Sequence, residues 1–100
     1  MMKKRKLKFT RSSGNVFLDI GFSKQEAENL RVRADLMIRA RQIIRSRRLT
    51  QAAAAKLFGV SQPRVSDLVR GRIGLFSIDA LVTMLAHARM TVVLDVRPAA

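Results

Sequence analysis

The sequence contains no cysteine and few acidic residues, and both absences limit what the chain can be. Without cysteine it can form neither a disulfide nor a cysteine-based zinc site. Seven Asp and Glu residues stand against twenty Lys and Arg residues, so the formal net charge is +13. This excess favours a polyanionic partner, and nucleic acid is a better candidate than an anionic membrane surface.

The chain also lacks the patterns of membrane spans, secretion signals and catalytic sites. It has no run of about 18 apolar residues, and its basic start is not followed by the apolar segment of a signal peptide. It has no glycine-rich phosphate loop and no metal-ligand cluster, and its one histidine, His87, has no triad or metal partners in the pattern. We therefore expect a cytoplasmic binding protein that is not an enzyme and needs no metal or cofactor.

The clearest structural pattern lies in residues 50–72, which read as two short helices joined by a turn. Thr50 and Ser61 are good N-caps, because a hydroxyl oxygen accepts one of the backbone N–H groups left free at a helix start. Gly59 lies between them, where the residue after a helix favours a positive φ. The predicted helices are Gln51–Phe58 and a second one that begins after Ser61 and ends near Arg70.

The polar residues of this segment lie away from its apolar face, where they can contact DNA. A helix that presents amide and small polar groups can reach base edges in a major groove. Base contacts are expected from the second helix, at Gln62, Pro63, Arg64, Ser66 and Asp67. Phosphate contacts are expected from Lys56, Ser61, Arg70 and Arg72, and from Arg47 and Arg48 at the end of the preceding helix. An ordinary helical hairpin with a polar surface is the alternative.

The segment TQAAAAKLFGVSQPRVSDLVRG resembles the helix-turn-helix of the Cro-type, or XRE, regulators. The wider sequence, from GFSKQEAENLRVRADLM to RIGLFSIDALVTML, is similar to small HigA-type antitoxins. The resemblance implies a mainly α, lambda-repressor-like domain that binds operator DNA and often a protein toxin. It also implies a phosphate contact by Gln51. It favours the N-terminal region for toxin contact, and the candidates there are Val16, Phe17, Leu18, Ile20 and Phe22.

The N-terminal part, residues 1–22, differs in composition from the rest of the chain. Its first fifteen residues hold six Lys and Arg and no acidic residue, so we expect them to be flexible in isolation. This stretch reads as a solvated tail, an arm that follows DNA phosphates, or part of a toxin-binding segment. Apolar residues then alternate from Val16 to Ile20, which predicts a short half-buried strand over Asn15–Phe22.

The remaining part, residues 23–100, is predicted to form the helix-turn-helix domain. Ser23 and Glu26 form a capping box at the start of a helix that extends to about Arg47. The apolar face of that helix rotates along its length, so it is either continuous or broken near Asp35. A last helix follows the N-cap Ser77 and ends near Arg89.

The final segment, Thr91–Arg97, alternates apolar and polar residues and is predicted to be a C-terminal β-strand. A lone strand must satisfy its edges. Pairing with its counterpart across a two-fold axis would give an isologous homodimer, and pairing with the Asn15–Phe22 strand is the alternative. The dimer residues would be Val92, Val93, Leu94 and Val96.

These patterns predict a homodimeric, DNA-binding transcription repressor. The resemblance extends this prediction to the antitoxin of a type II toxin-antitoxin pair, which represses its own operon and neutralises a toxin. Two alternatives stay open. One is an XRE-type regulator with no toxin partner, and the other is a protein-binding helical module without DNA binding.

Overall fold

A computed structural model of the protein describes residues 14–99, and this part of the chain is helical. The elements are α1 Val16–Asp19, α2 Lys24–Ser46, α3 Gln51–Phe58, α4 Gln62–Val69, a 3₁₀ turn Ile73–Leu75 and α5 Ile78–His87. The prediction of a mainly α fold is confirmed. Of the basic N-terminal stretch of fifteen residues, residues 1–13 lie outside the described part of the chain.

The chain forms two compact units, divided between Val32 and Arg33. In the first unit the predicted strand over Asn15–Phe22 is wrong, because the segment forms helix α1. The Asn15 side chain accepts hydrogen bonds from the backbone N–H groups of Phe17 and Leu18, at 3.0 and 3.3 Å. The Phe22 N–H donates to the Phe17 carbonyl at 3.1 Å. Local bonds thus satisfy backbone groups that a lone strand would expose.

The predicted capping box at the start of α2 is present. Ser23 Oγ accepts from the Glu26 N–H at 3.2 Å, and the Glu26 carboxylate accepts from the Ser23 N–H at 3.4 Å. One turn on, Arg31 donates to Glu28 at 2.8 Å, and this hydrogen bond lowers the pKa of Glu28. α2 is one continuous helix, so the alternative of a break near Asp35 is wrong.

The core of the second unit lies where α3 packs against both α4 and α5. Its largest fully buried side chains are Phe58, Val65, Leu68, Phe76 and Leu81. Each such side chain contributes roughly 1.5–3 kcal/mol by leaving water. Ala54 is also fully buried, and its small side chain lets α3 approach its neighbours closely.

Hydroxyl side chains begin each of the three helices around this core. The Oγ atoms of Thr50, Ser61 and Ser77 each accept from the N–H group three residues further on, at 3.0, 3.3 and 3.0 Å. The three predicted N-caps are therefore confirmed. The helix starts α3, α4 and α5 are set by the sequence itself, because each cap satisfies a backbone donor that the helix leaves free.

The expected C-terminal strand Thr91–Arg97 is absent from the part of the chain that the structure describes. Residues 90–99 form no regular secondary structure, and the side chains of Val93 and Val96 are 85% and 93% exposed. A strand exists only with a hydrogen-bonding neighbour. The proposed partner over Asn15–Phe22 is helical, so that alternative pairing is wrong.

Candidate nucleic-acid interface

The helix-turn-helix consists of α3, a tight turn and α4. Gly59 ends α3 with φ 69° and ψ 34°, a left-handed conformation that glycine adopts without steric cost. The next residue, Val60, donates its N–H to the Ala55 carbonyl at 3.0 Å, and Ser61 then starts α4. Because Val65 fixes the inner face of α4, the opposite face is left open to a partner.

His87, on α5, packs against this turn. Its Nδ1 atom lies 3.1 Å from the Leu57 carbonyl oxygen. Its ring lies so close to Gly59 that a Cβ atom added there would come within 2.8 Å of His87 Cδ2. The single histidine of the chain thus has a structural contact, and it fixes α5 against the end of α3.

The first turn of α4 presents two of the five predicted base-contact residues fully to solvent. Gln62 and Pro63 are exposed, whereas Arg64, Ser66 and Asp67 are half-buried. Gln62 brings an amide with both a donor and an acceptor, the pair of groups that adenine offers in the major groove.

Asp67 and Arg64 are engaged within the protein. The Asp67 carboxylate lies 3.8 Å from Arg72 Nε, with the Asp67 side chain 30% exposed. The Arg64 guanidinium donates to the Leu75 carbonyl at 2.5 Å and lies over the Phe76 ring, 4.0 Å from its centroid. A base contact by Arg64 would require it to leave both partners.

All of the predicted phosphate-contact residues are exposed. They are Gln51, Lys56, Ser61, Arg70, Arg72, Arg47 and Arg48. The Ser61 oxygen accepts a hydrogen bond from the Arg64 N–H, so the Ser61 O–H group remains available to donate to a phosphate. Arg48 follows α2 with φ 53°, a left-handed conformation that is unfavourable for a residue with a Cβ atom.

Arg33 and Arg41 on α2 also contribute to this region, through contacts within the protein that were not predicted from the sequence. Arg33 Nη1 donates to the carbonyls of Ile73 and Phe76, each at 3.3 Å. Arg41 Nη1 would lie 3.6 Å from a Cβ atom added at Gly71, just after α4. The helical spacing of Arg33 indicates that it lies on the inward face of α2, because the buried residues Met37 and Ala40 follow it by four and seven positions.

Within residues 14–99, no cluster of His, Asp or Glu could hold a metal ion. The helices in this range lack the combination of length and apolar composition that a membrane span needs.

The chain matches a family model and is similar to a solved structure. Residues 16–97 match a family model described as a helix-turn-helix domain. A solved structure named "Putative XRE Family Transcriptional Regulator" is 33% identical in sequence and superposes with a TM-score of 0.67, covering 73% of this chain and 82% of that chain. No curated protein matches the chain.

Proposed function

The chain belongs to the XRE family of DNA-binding helix-turn-helix regulators, and from this premise we propose that it is a sequence-specific, homodimeric repressor. The observation that carries this proposal is the open first turn of α4. There Gln62 and Pro63 are exposed, and along the chain they lie between the exposed cationic residues Lys56 and Arg70. α4 would enter the major groove of double-stranded operator DNA in the cytoplasm. Two such helices, one per subunit, would read half-sites about 34–36 Å apart.

The contact residues divide into those that read bases and those that bind the backbone. Gln62 pairs with adenine, and Ser66 and Pro63 contact neighbouring base edges. Arg64 and Asp67 can read guanine and cytosine only if each leaves its partner within the protein. The phosphate contacts are the seven exposed residues named above, which bracket α4 along the chain.

The homodimer would form through the C-terminal segment. Val93, Leu94 and Val96 are 85%, 68% and 93% exposed, so three apolar side chains within four residues are exposed together, as is typical of an interaction surface. Pairing of this segment across a two-fold axis, with Val92 in the same strand, would cover them and supply the missing hydrogen-bonding neighbour.

A toxin partner is the finer part of the proposal. Helix α1 and the residues after it expose apolar surface, with Val16, Ile20 and Phe22 at 61%, 67% and 41%. Phe17 and Leu18 are half-buried between them. This surface fits the role of the toxin-contacting part of an antitoxin. Co-purification with the product of an adjacent gene tests it, and no stable complex would favour an XRE-type regulator without a toxin.

The repressor function itself is tested by a salt series of gel shifts. The purified protein is titrated onto its own upstream DNA and onto random DNA of equal length. A repressor binds the upstream DNA preferentially, and its affinity falls steeply with salt, as expected for about six or more neutralised phosphates. Equal affinity for both DNAs would contradict the proposal and would favour a protein-binding helical module.

Arg48 offers a test of contact with the DNA backbone, because its replacement should change protein stability and DNA affinity in opposite directions. Arg48 and Arg89 end α2 and α5 in the same way, with φ 53° and 64°. Replacing either by glycine relieves a left-handed conformation, so each variant should gain up to ~1 kcal/mol in unfolding free energy. Only Arg48→Gly should also weaken operator binding and reduce the salt slope by about 1.

Thermal unfolding and the gel-shift series measure the two effects. Arg89→Gly is the matched control, because it removes the same charge from an equivalent helix end. Equal losses of affinity in the two variants would show that Arg48 acts only through net charge.

A further inference from the structure

Two guanidinium groups donate hydrogen bonds to residues 72–77. This segment lies between α4 and α5, and we call it the α4–α5 loop. Arg33 donates to the carbonyls of Ile73 and Phe76. Arg64 donates to the carbonyl of Leu75, which lies between them. Three of the four carbonyl groups from Ile73 to Phe76 thus accept hydrogen bonds from charged donors. Such hydrogen bonds are stronger than those from neutral donors.

The Arg64 side chain is held by a second contact. Its Cζ atom lies over the Phe76 ring, 4.0 Å from the centroid. That ring is 1% exposed, so it is fixed by the core. A cation over an aromatic face is attracted more strongly where water is partly excluded, and Arg64 is itself half-buried.

Base reading would require a different placement of this group. An arginine that recognises guanine directs two N–H donors at the base edge in the groove. To do so, Arg64 would have to give up both the Leu75 carbonyl and the Phe76 face. Gln62 needs no such change, because its side chain is already exposed.

We propose that Arg64 is a positioning residue, which fixes the α4–α5 loop to the first turn of α4 and leaves base reading to Gln62 and its neighbours Pro63 and Ser66. The proposal rests on the repressor function above and deepens it. The loop begins with Arg72, an exposed phosphate candidate whose Nε lies 3.8 Å from Asp67. By holding the loop, Arg64 sets where Arg72 lies when α4 enters the groove.

The first test uses the free protein and measures amide hydrogen exchange. The N–H of Leu75 donates to the Arg72 carbonyl at 3.0 Å, and the N–H of Phe76 donates to the Ile73 carbonyl at 3.2 Å. In Arg64→Ala both amides should exchange at least about tenfold faster, because the loop opens locally. The control is Arg70→Ala, which removes the same charge at the other end of α4. Unchanged exchange in Arg64→Ala would overturn the proposal.

The second test measures operator binding at a temperature where all variants are folded. A panel of operators, each altered at one base pair, is bound by wild type, Arg64→Ala, Arg70→Ala and Gln62→Ala. Arg64→Ala should weaken binding to every operator by one common factor and lower the salt slope by at most about 1, the contribution of the displaced Arg72. Arg70→Ala should lower that slope by about 1, and Gln62→Ala should relax discrimination at one base pair by about 5- to 150-fold.

Two patterns in Arg64→Ala would overturn the positioning role. Relaxed discrimination at a single base pair would make Arg64 a base reader. A salt slope that falls by a further amount of about 1 when Arg64→Ala is added to Arg72→Ala would make it a phosphate contact. Equal binding of operator and random DNA by the wild-type protein is a separate result, which overturns the repressor function. The exchange measurement would still decide, in that case, whether Arg64 holds the loop.

Discussion

Removal of residues 91–100 is expected to convert the proposed homodimer into a monomer and to weaken operator binding by about 10²–10⁴-fold. A dimer binds its second half-site from a high effective concentration, which a monomer lacks. The removed segment contains one acidic residue, Asp95, and one basic residue, Arg97, so the formal charge does not change. The loss would therefore not come from weaker attraction between the protein and DNA.

Light scattering gives the oligomeric state, and gel shifts on the operator give the affinity. The fold should survive, because the core residues of the described chain end at Ala88. The control is a shorter truncation, of residues 97–100, which leaves Val92–Val96 in place and should remain a dimer. A dimer that persists without residues 91–100 would show that the interface lies elsewhere.

Gly59→Ala is expected to destabilise the fold by about 2–3 kcal/mol, which corresponds to a fall in Tm of roughly 8–24 °C for a domain of this size. The left-handed conformation at φ 69° accounts for about 1–2 kcal/mol of this loss. The rest arises because the new Cβ atom would come within 2.8 Å of His87 Cδ2. The ring would have to turn away and lose its hydrogen bond to the Leu57 carbonyl.

Thermal and denaturant unfolding measure this loss, and two variants separate its causes. Gly74→Ala is the matched control, since a Cβ atom there meets nothing within 4 Å and φ is not positive. In a His87→Ala background the Gly59→Ala change should be less costly, because only the conformational part remains. An equal cost in both backgrounds would show that the ring does not oppose the substitution.

The helix starts were predictable because their chemistry is local. Thr50, Ser61 and Ser77 each bond to a backbone group three residues away. The glycine at residue 59 likewise identifies the turn by its own conformational freedom. These residues were enough to predict α3, α4 and the exposed position of Gln62.

The two predicted strands are absent from the described residues for two different physical reasons. Alternation between Val16 and Ile20 covers only five residues, and the Asn15 side chain caps a helix there instead. Thr91–Arg97 needs a neighbour that the single chain does not supply, so its pattern alone could not establish a strand.

The arginine contacts could not be found from the sequence, because they depend on where distant segments meet. Arg33 reaches carbonyl groups 40 and 43 residues further along the chain. Arg64 is predicted to contact a base, yet its guanidinium donates to the Leu75 carbonyl and lies over the Phe76 ring. Sequence spacing shows which face a side chain occupies but not which group it meets there.

The hydroxyl caps also have an electrostatic consequence. Aspartate and asparagine cap helices about as well as serine, yet α3, α4 and α5 all start on a neutral hydroxyl. A carboxylate in place of Ser61 would offset the partial positive charge at the start of α4, next to Gln62. With serine there, the helix is capped without a negative charge that would repel a phosphate, so stability and attraction to a polyanion do not compete at this residue.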